Sequence, residues 1–227
     1  GILPQEDIDR LVSTVQDFGG RVSMRSLNGG GEAPYELNIT YFDAMKGTFE
    51  GEDGFQIDRF LCSQTIVMAL EGIPAFYIHS LLATPNDQEG VERTGLNRAI
   101  NRHRWDYERL RGLLGAPDSA QARVLHSMKD RIAIRSRQPA FHPNATQFTL
   151  HLDHRIFGIW RQSIDRDQSV FALHNVSGDT VSVSPLSINL IGGEDWVDLL
   201  TGEHVGPSGD EISFAPYQCR WITNRFV

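Results

Sequence analysis

Cysteine is scarce: Cys62 and Cys219 are the only two among 227 residues. That excludes a disulfide-stapled scaffold, and no Cys/His spacing suggests zinc. A reducing, cytoplasmic setting is the simplest expectation. Positive charge is also in deficit. Twenty-one Lys and Arg face 29 Asp and Glu, a net charge of −8, so no overall field would draw in a polyanion, and nucleic acid is excluded as the main partner. No apolar run reaches the length of a membrane span, and no secretory leader is expected. The glycine-rich stretch Ser26-Leu27-Asn28-Gly29-Gly30-Gly31-Glu32-Ala33-Pro34 is not followed by Lys-Ser/Thr, which favours a flexible surface loop over a phosphate cradle. An initiator Met is missing too. The chain opens on Gly1-Ile2-Leu3-Pro4, as expected of a fragment, a processed chain or the ordered part of a longer one. Three Asn-x-Ser/Thr sequons, at Asn38, Asn144 and Asn175, carry little weight in a chain without secretory signs.

Enough apolar residues are present (40%) for a real core. Ile8, Leu11, Val12 and Val15 recur at helical spacing, so residues 5–18 are predicted to form an amphipathic helix that Gly19-Gly20 ends. Residues 57–71 read as a second helix. Its Phe60, Leu61, Ile66, Val67, Met68 and Leu70 are too many for a half-exposed face, so burial between layers is expected. Gly72 and Pro74 then lead into Ala75–Leu82, "AFYIHSLL", which reads as a buried strand. The following loop, "ATPND", would lie at the strand's C-terminal end, where α/β folds place their chemistry. A further helix spans 119–137, capped by Asp118 or Ser119, with Val124, Leu125, Met128 and Ile132 on its core face.

Beyond Asn144 the texture changes to short runs rich in Val, Ile, Phe and Thr, separated by Gly, Asp, Asn and Ser. They predict an antiparallel all-β domain of about seven or eight strands. The expected domains are therefore 1–143 and 144–227. A single parallel-type strand cannot complete a sheet, so the α/β part reads as the last piece of a larger sheet or barrel.

Three stretches, "YELNITYFDA" (35–44), "GIPAFYIHSLLATPND" (72–87) and "NRAINRHRW" (97–105), occur in this order. Together they resemble the sucrose phosphorylase-like subfamily of the α-amylase superfamily, glycoside hydrolase family 13. The resemblance covers nearly the whole chain and is weakest in the β domain. It implies a (β/α)8 barrel with a C-terminal antiparallel β domain, this chain supplying the loop after strand 7, helix 7, strand 8, helix 8 and the β domain. It also implies a retaining α-glucoside phosphorylase, in which an Asp nucleophile forms a glucosyl-enzyme, a Glu protonates the leaving group and a second Asp stabilises the transition state. Inorganic phosphate then takes the glucosyl unit to give α-glucose 1-phosphate.

On that alignment all three carboxylates lie upstream of Gly1. No catalytic residue is expected in this chain, Asp43, Asp58 and Asp87 included, and the chain alone should be inactive without the N-terminal half. The resemblance assigns substrate binding to Arg102 and His103, from the Asn-Arg-His motif beside the glucosyl unit, and to Tyr35 and Glu36, on a loop forming the acceptor and phosphate site. Arg98 and Arg104 are expected to face solvent or to be structural, Asn38 to hold the loop backbone, Asn86 and Asp87 to cap the following helix, and His79 to be a satisfied core histidine. No metal and no cofactor are expected; the partners are a small sugar substrate and phosphate. Strict sucrose phosphorylases carry Leu-Asp-Leu-Tyr-Gln where this chain has Glu32-Ala33-Pro34-Tyr35-Glu36. The resemblance therefore points to glucosylglycerate first, then sucrose 6'-phosphate. The alternatives are sucrose, a hydrolase or transglucosylase on the same scaffold, or a stand-alone carbohydrate-binding or structural β module using Trp160, Trp196 and Trp221.

Overall fold

The structure, a computed structural model, describes residues 2–188, 190, 195–206 and 211–225. It contains two compact units, one of Gly1–Phe60 with Phe76–His126 and the other of Leu61–Ala75 with Ser127–Val227. The division falls within two helices.

The first unit opens with α1 (Gln5–Asp17). Of its apolar stripe only Val15 becomes buried, and Leu11 stays 37% exposed. The backbone at Gly20 packs against Val15 at the last turn. An antiparallel hairpin of β1 (Arg21–Ser26) and β2 (Glu32–Asn38) follows. Its tip is the glycine run, where Leu27 and Gly31 pair and Gly29, Gly30 and Gly31 all have positive φ. The glycines serve a tight turn that other residues resist. A small ribbon, β3 (Gly47–Thr48) with β4 (Gly51–Glu52), precedes α2 (Gln56–Ala69). Phe60 of α2 is fully buried, with Tyr41 and Phe42 edge-on to its ring.

The buried strand expected at 75–82 is not formed. The chain runs without a ladder to Tyr77 and then coils into α3 (Ile78–Leu81), with Tyr77 and Ile78 more than half exposed. A parallel strand needs neighbours to take its backbone groups. A helical turn satisfies its own, here through Ser80 and Leu81 N–H groups on the Tyr77 carbonyl. Two further helices that the apolar periodicity did not reveal follow, α4 (Gln88–Thr94) and α5 (Tyr107–Leu114). Both are short and mostly polar, and Asp87 and Asp106 cap them. Next comes α6 (Ala120–Arg137), whose N-terminal cap is Ser119: its hydroxyl accepts from Ala122 N–H. Val124 and Met128 are buried as expected, while Ile132 remains 37% exposed.

The second unit is built on antiparallel strands: β5 (Thr146–Leu150), β6 (Ile156–Gln162), β7 (Ser169–Asn175), β8 (Val181–Val183), β9 (Trp196–Asp198), β10 (His204–Val205), β11 (Ile212–Phe214) and β12 (Cys219–Thr223). Six form one sheet in the order β10-β9-β12-β7-β6-β5, and β11 pairs with β8. Strand alternation divides the side chains. Phe171, Leu173 and Ile222 join Val181, Val183, Trp196 and Phe214 in one core, while Trp221, next to Ile222, packs edge-on to Phe141. Trp196 and Trp221 are thus core residues, and Trp160 is half-buried between Phe148 and Phe171.

Asn38 and Asn175 are buried with their amides engaged, so neither offers a glycan site. The two cysteines, far apart in sequence, come together in this unit. Cys62 contacts the Asn175 carbonyl at 3.4 Å, and the Cys219 thiol is pushed well up by burial and by the adjacent Cys62. Both are reduced. Among the described residues no helix is long and apolar enough to cross a membrane.

Candidate substrate-binding site

The sequence-predicted residues lie in the first unit, on two neighbouring structures. Tyr35 and Glu36 belong to β2. The register with β1 slips there: Ser23 pairs with Glu36 and Met24 with Pro34, which leaves Tyr35 as the extra residue of a β-bulge. Bulges re-aim side chains and recur beside functional sites, and Tyr35 is 64% exposed. The Glu36 carboxylate accepts from Arg98 Nε at 3.0 Å, and this bond raises the arginine's pKa.

A hydroxyl ties the hairpin to the arginine-bearing segment. Ser23 Oγ accepts from both Asn38 and Asn97, at 3.0 and 3.2 Å, and Asn38 also bonds the Glu36 carbonyl. Asn97 opens a 3-10 turn over Asn97–Asn101. The first and third motifs are therefore in direct contact, with Asn38 in the bracing role expected of it.

Arg102 ends the 3-10 turn, and from there the chain alternates. Arg102 and Arg104 are exposed, whereas His103 and Trp105 are half-buried. His103 Nδ1 lies 3.4 Å from Asp87 Oδ2, and its ring stands edge-on to Trp105 at 4.7 Å. Trp105 Nε1 donates to Thr84 Oγ1 at 3.0 Å, and His79 Nδ1 meets the same hydroxyl at 3.1 Å. Burial, and then the neighbouring His103, lower the His79 pKa.

Asp87 supports the segment from beneath. Its N–H donates to the Ile100 carbonyl at 2.8 Å, and its carboxylate accepts from Gly90 N–H at 2.9 Å. A Cβ on Gly90 would come within 2.6 Å of that carboxylate, so any side chain there would push Asp87 aside. Asn86 holds the loops, accepting from Thr40 N–H and donating to the Phe18 carbonyl. Asp43 is buried and accepts from the Asn86 N–H at 2.8 Å.

Tyr35 and Glu36 are thus gathered with Arg98, and Arg102 and His103 with Asp87. The side chain of Arg102 makes no hydrogen bond or ion pair among the described residues. It faces an open hollow of about 330 Å³, shared with Arg93, Arg98 and Arg104 and bordered by Asp87 and Thr94. Sequence reasoning did not foresee Arg93 or Thr94, because α4 carries no apolar stripe. The available signals were the capping Asp87 and the stop at Gly95, which is left-handed (φ 67°). Chemically the arrangement presents guanidinium forks, a tyrosine and a braced histidine, which suits hydroxyls and oxyanions. No group of three or more His, Cys, Asp or Glu among the described residues could hold a metal.

No family model matches the chain. Among curated proteins it is 36% identical to a glucosylglycerate phosphorylase of Spirochaeta thermophila, covering 98% of this chain and 39% of that protein. It is 37% identical to one of Allomeiothermus silvanus, covering 98% and 37%. It is 30% identical to a sucrose phosphorylase of Agrobacterium vitis, over 62% of this chain and 26% of the relative. The chain thus spans under two fifths of the length of these relatives. Among solved structures, a sucrose 6F-phosphate phosphorylase from Thermoanaerobacter thermosaccharolyticum superposes with a TM-score of 0.64 at 18% identity, over 95% of this chain and 37% of that one. AmyP in complex with maltose gives 0.63 at 14% identity, over 81% and 38%. The fold therefore matches a part of these enzymes, in keeping with the C-terminal portion of a barrel and its β domain.

Proposed function

Starting from a chain homologous to part of the sucrose phosphorylase-like α-glucoside phosphorylases, we propose that the whole protein phosphorolyses glucosylglycerate, releasing α-glucose 1-phosphate and glycerate. One observation carries this reading. The relatives similar over 98% of the chain are named glucosylglycerate phosphorylases, whereas similarity to those named sucrose phosphorylases stops at 62% or less. The Pro34-Tyr35-Glu36-Leu37-Asn38 run, in place of the strict sucrose form, supports the same substrate.

In this reading the chain supplies binding and orientation. Arg102 donates to the glucosyl unit or to the attacking oxyanion. Asp87 holds the His103 ring beside Arg102, and His103 serves as a second donor. Tyr35, turned outward by its bulge, and Glu36 shape the acceptor side. The nucleophile, the acid/base and the third carboxylate come from the part of the relatives that this chain does not span, so the chain alone is inactive. Residues 1–143 form the barrel portion and 144–227 the β domain, and the enzyme works in the cytoplasm.

The test is product analysis with the full-length protein. Glucosylglycerate, sucrose and sucrose 6'-phosphate are each incubated with and without phosphate. Phosphate-dependent glucose 1-phosphate release, fastest from glucosylglycerate, is expected. Free glucose independent of phosphate would make the protein a hydrolase, and release from sucrose alone would refute the acceptor.

A further inference from the structure

We infer that the hollow bordered by Arg93, Arg98, Arg102 and Arg104 is a binding site for a small oxyanion, and that Arg93 and Arg104, which nothing above assigns to substrate, select it. The charge balance carries this. The chain as a whole has 29 acidic and 21 basic residues, yet around this hollow the order reverses, with four arginines facing one carboxylate, Asp87. Asp87 is already engaged by Gly90 N–H and His103. A second acid, Glu36, engages Arg98 alone.

Arg93, Arg102 and Arg104 have no side-chain hydrogen bond or ion pair among the described residues, although acids outnumber bases elsewhere. Like charges held around one concavity repel and raise the local potential, and an anion entering it relieves that repulsion. Guanidinium groups also offer paired donors that match a carboxylate or phosphate. Thr94 lies on the same wall, but its hydroxyl is turned back to the Gly90 carbonyl at 2.7 Å, so recognition rests on the arginines. A hollow of about 330 Å³ has room for an anion of glycerate or phosphate size.

The proposed function contributes only the choice between two sources of this oxyanion, the carboxylate of an acceptor such as glycerate and inorganic phosphate. Calorimetric titration of the full-length protein with D-glycerate and, separately, with phosphate, at constant ionic strength, reads binding without turnover. It therefore stands even if phosphorolysis fails. The wild type should bind at least one anion, and the Arg93→Gln/Arg104→Gln double variant should bind it at least about tenfold more weakly. A loss for glycerate alone assigns the site to the acceptor carboxylate, a loss for phosphate alone to the co-substrate, and a loss for both to a shared oxyanion position. Arg93→Lys and Arg104→Lys keep the charge but not the fork and should lose part of the affinity. They also supply the measurement should the double variant fail to fold. No binding of either anion by the wild type, or affinities within twofold across the folded variants, overturns the proposal.

Discussion

Two sets of arginines, one in each unit, do opposite work. In the second, Arg161 is fully buried. Its Nη1 donates to the Ala69 carbonyl at 3.1 Å and its Nη2 to those of His142 and Ala145 at 2.9 and 3.4 Å. Arg135 bonds the carbonyls of Met68, Gly72 and Phe141. Together they satisfy the C-terminal end of α2, where unpaired carbonyls carry the negative end of the helix dipole. Burial lowers both pKa values. In the first unit Arg93, Arg102 and Arg104 have no such engagements among the described residues and stand open around a hollow. A guanidinium enclosed by carbonyls is architecture. One left facing a concavity remains available to a ligand.

Substitutions sharpen this contrast, beginning where the effect should be greatest. Arg161→Met would strand three carbonyls and is expected to lower unfolding stability by roughly 3–5 kcal/mol. Urea unfolding measures it, and a loss below about 1 kcal/mol would break the architectural half of the comparison.

His174, fully buried on β7, is an acid-side weakness of the same unit. Its Nδ1 donates to the Phe157 carbonyl, and burial lowers its pKa from 6.5 to about 4. The unfolded chain therefore binds the extra proton between those values. Stability from this group is complete above pH 6.5 and is lost as pH falls toward 4, by on the order of 3 kcal/mol. Thermal melts across that range should show the slope, and His174→Phe should flatten it.

Arg102→Ala should leave the melting temperature within about 2 °C, because its side chain makes no hydrogen bond or ion pair among the described residues. It should reduce kcat/KM of the full-length enzyme by about 100-fold. A large stability loss with normal activity would reverse its assignment. Gly90→Ala is subtler. The added methyl displaces Asp87, so His103 loses its brace, with kcat/KM of the full-length enzyme falling about tenfold. An unchanged kcat/KM would mean that Asp87 does no more than cap α4.

Several elements were legible because their signals are local. The α1, α2 and α6 ranges follow apolar spacing and caps, with Ser119 distinguished from Asp118 only by the bond it makes. The strands from Thr146 onward follow alternation and turn residues, except β10, too short to show. The misread segment at 75–82 was judged by its apolar content, but a parallel strand exists only where neighbours accept its hydrogen bonds. Helix α5 escaped because a polar helix lacks a stripe, whereas α4 was expected only through the cap at Asp87.

The site divides in the same way. Arg102, His103, Tyr35 and Glu36 were named from motifs, but their partners are distant in sequence. Glu36 meets Arg98, Asn97 meets Ser23 and His103 meets Asp87. By itself the sequence determined the helix and strand periodicities, the acidic balance and the motif order, since each depends on near neighbours or on totals. Only the tertiary structure decided which arginines are enclosed by carbonyls and which stand open, that Tyr35 sits on a bulge, and that Cys62 lies beside Cys219. Burial and hydrogen-bond partners arise from contacts between distant segments, which no local pattern encodes.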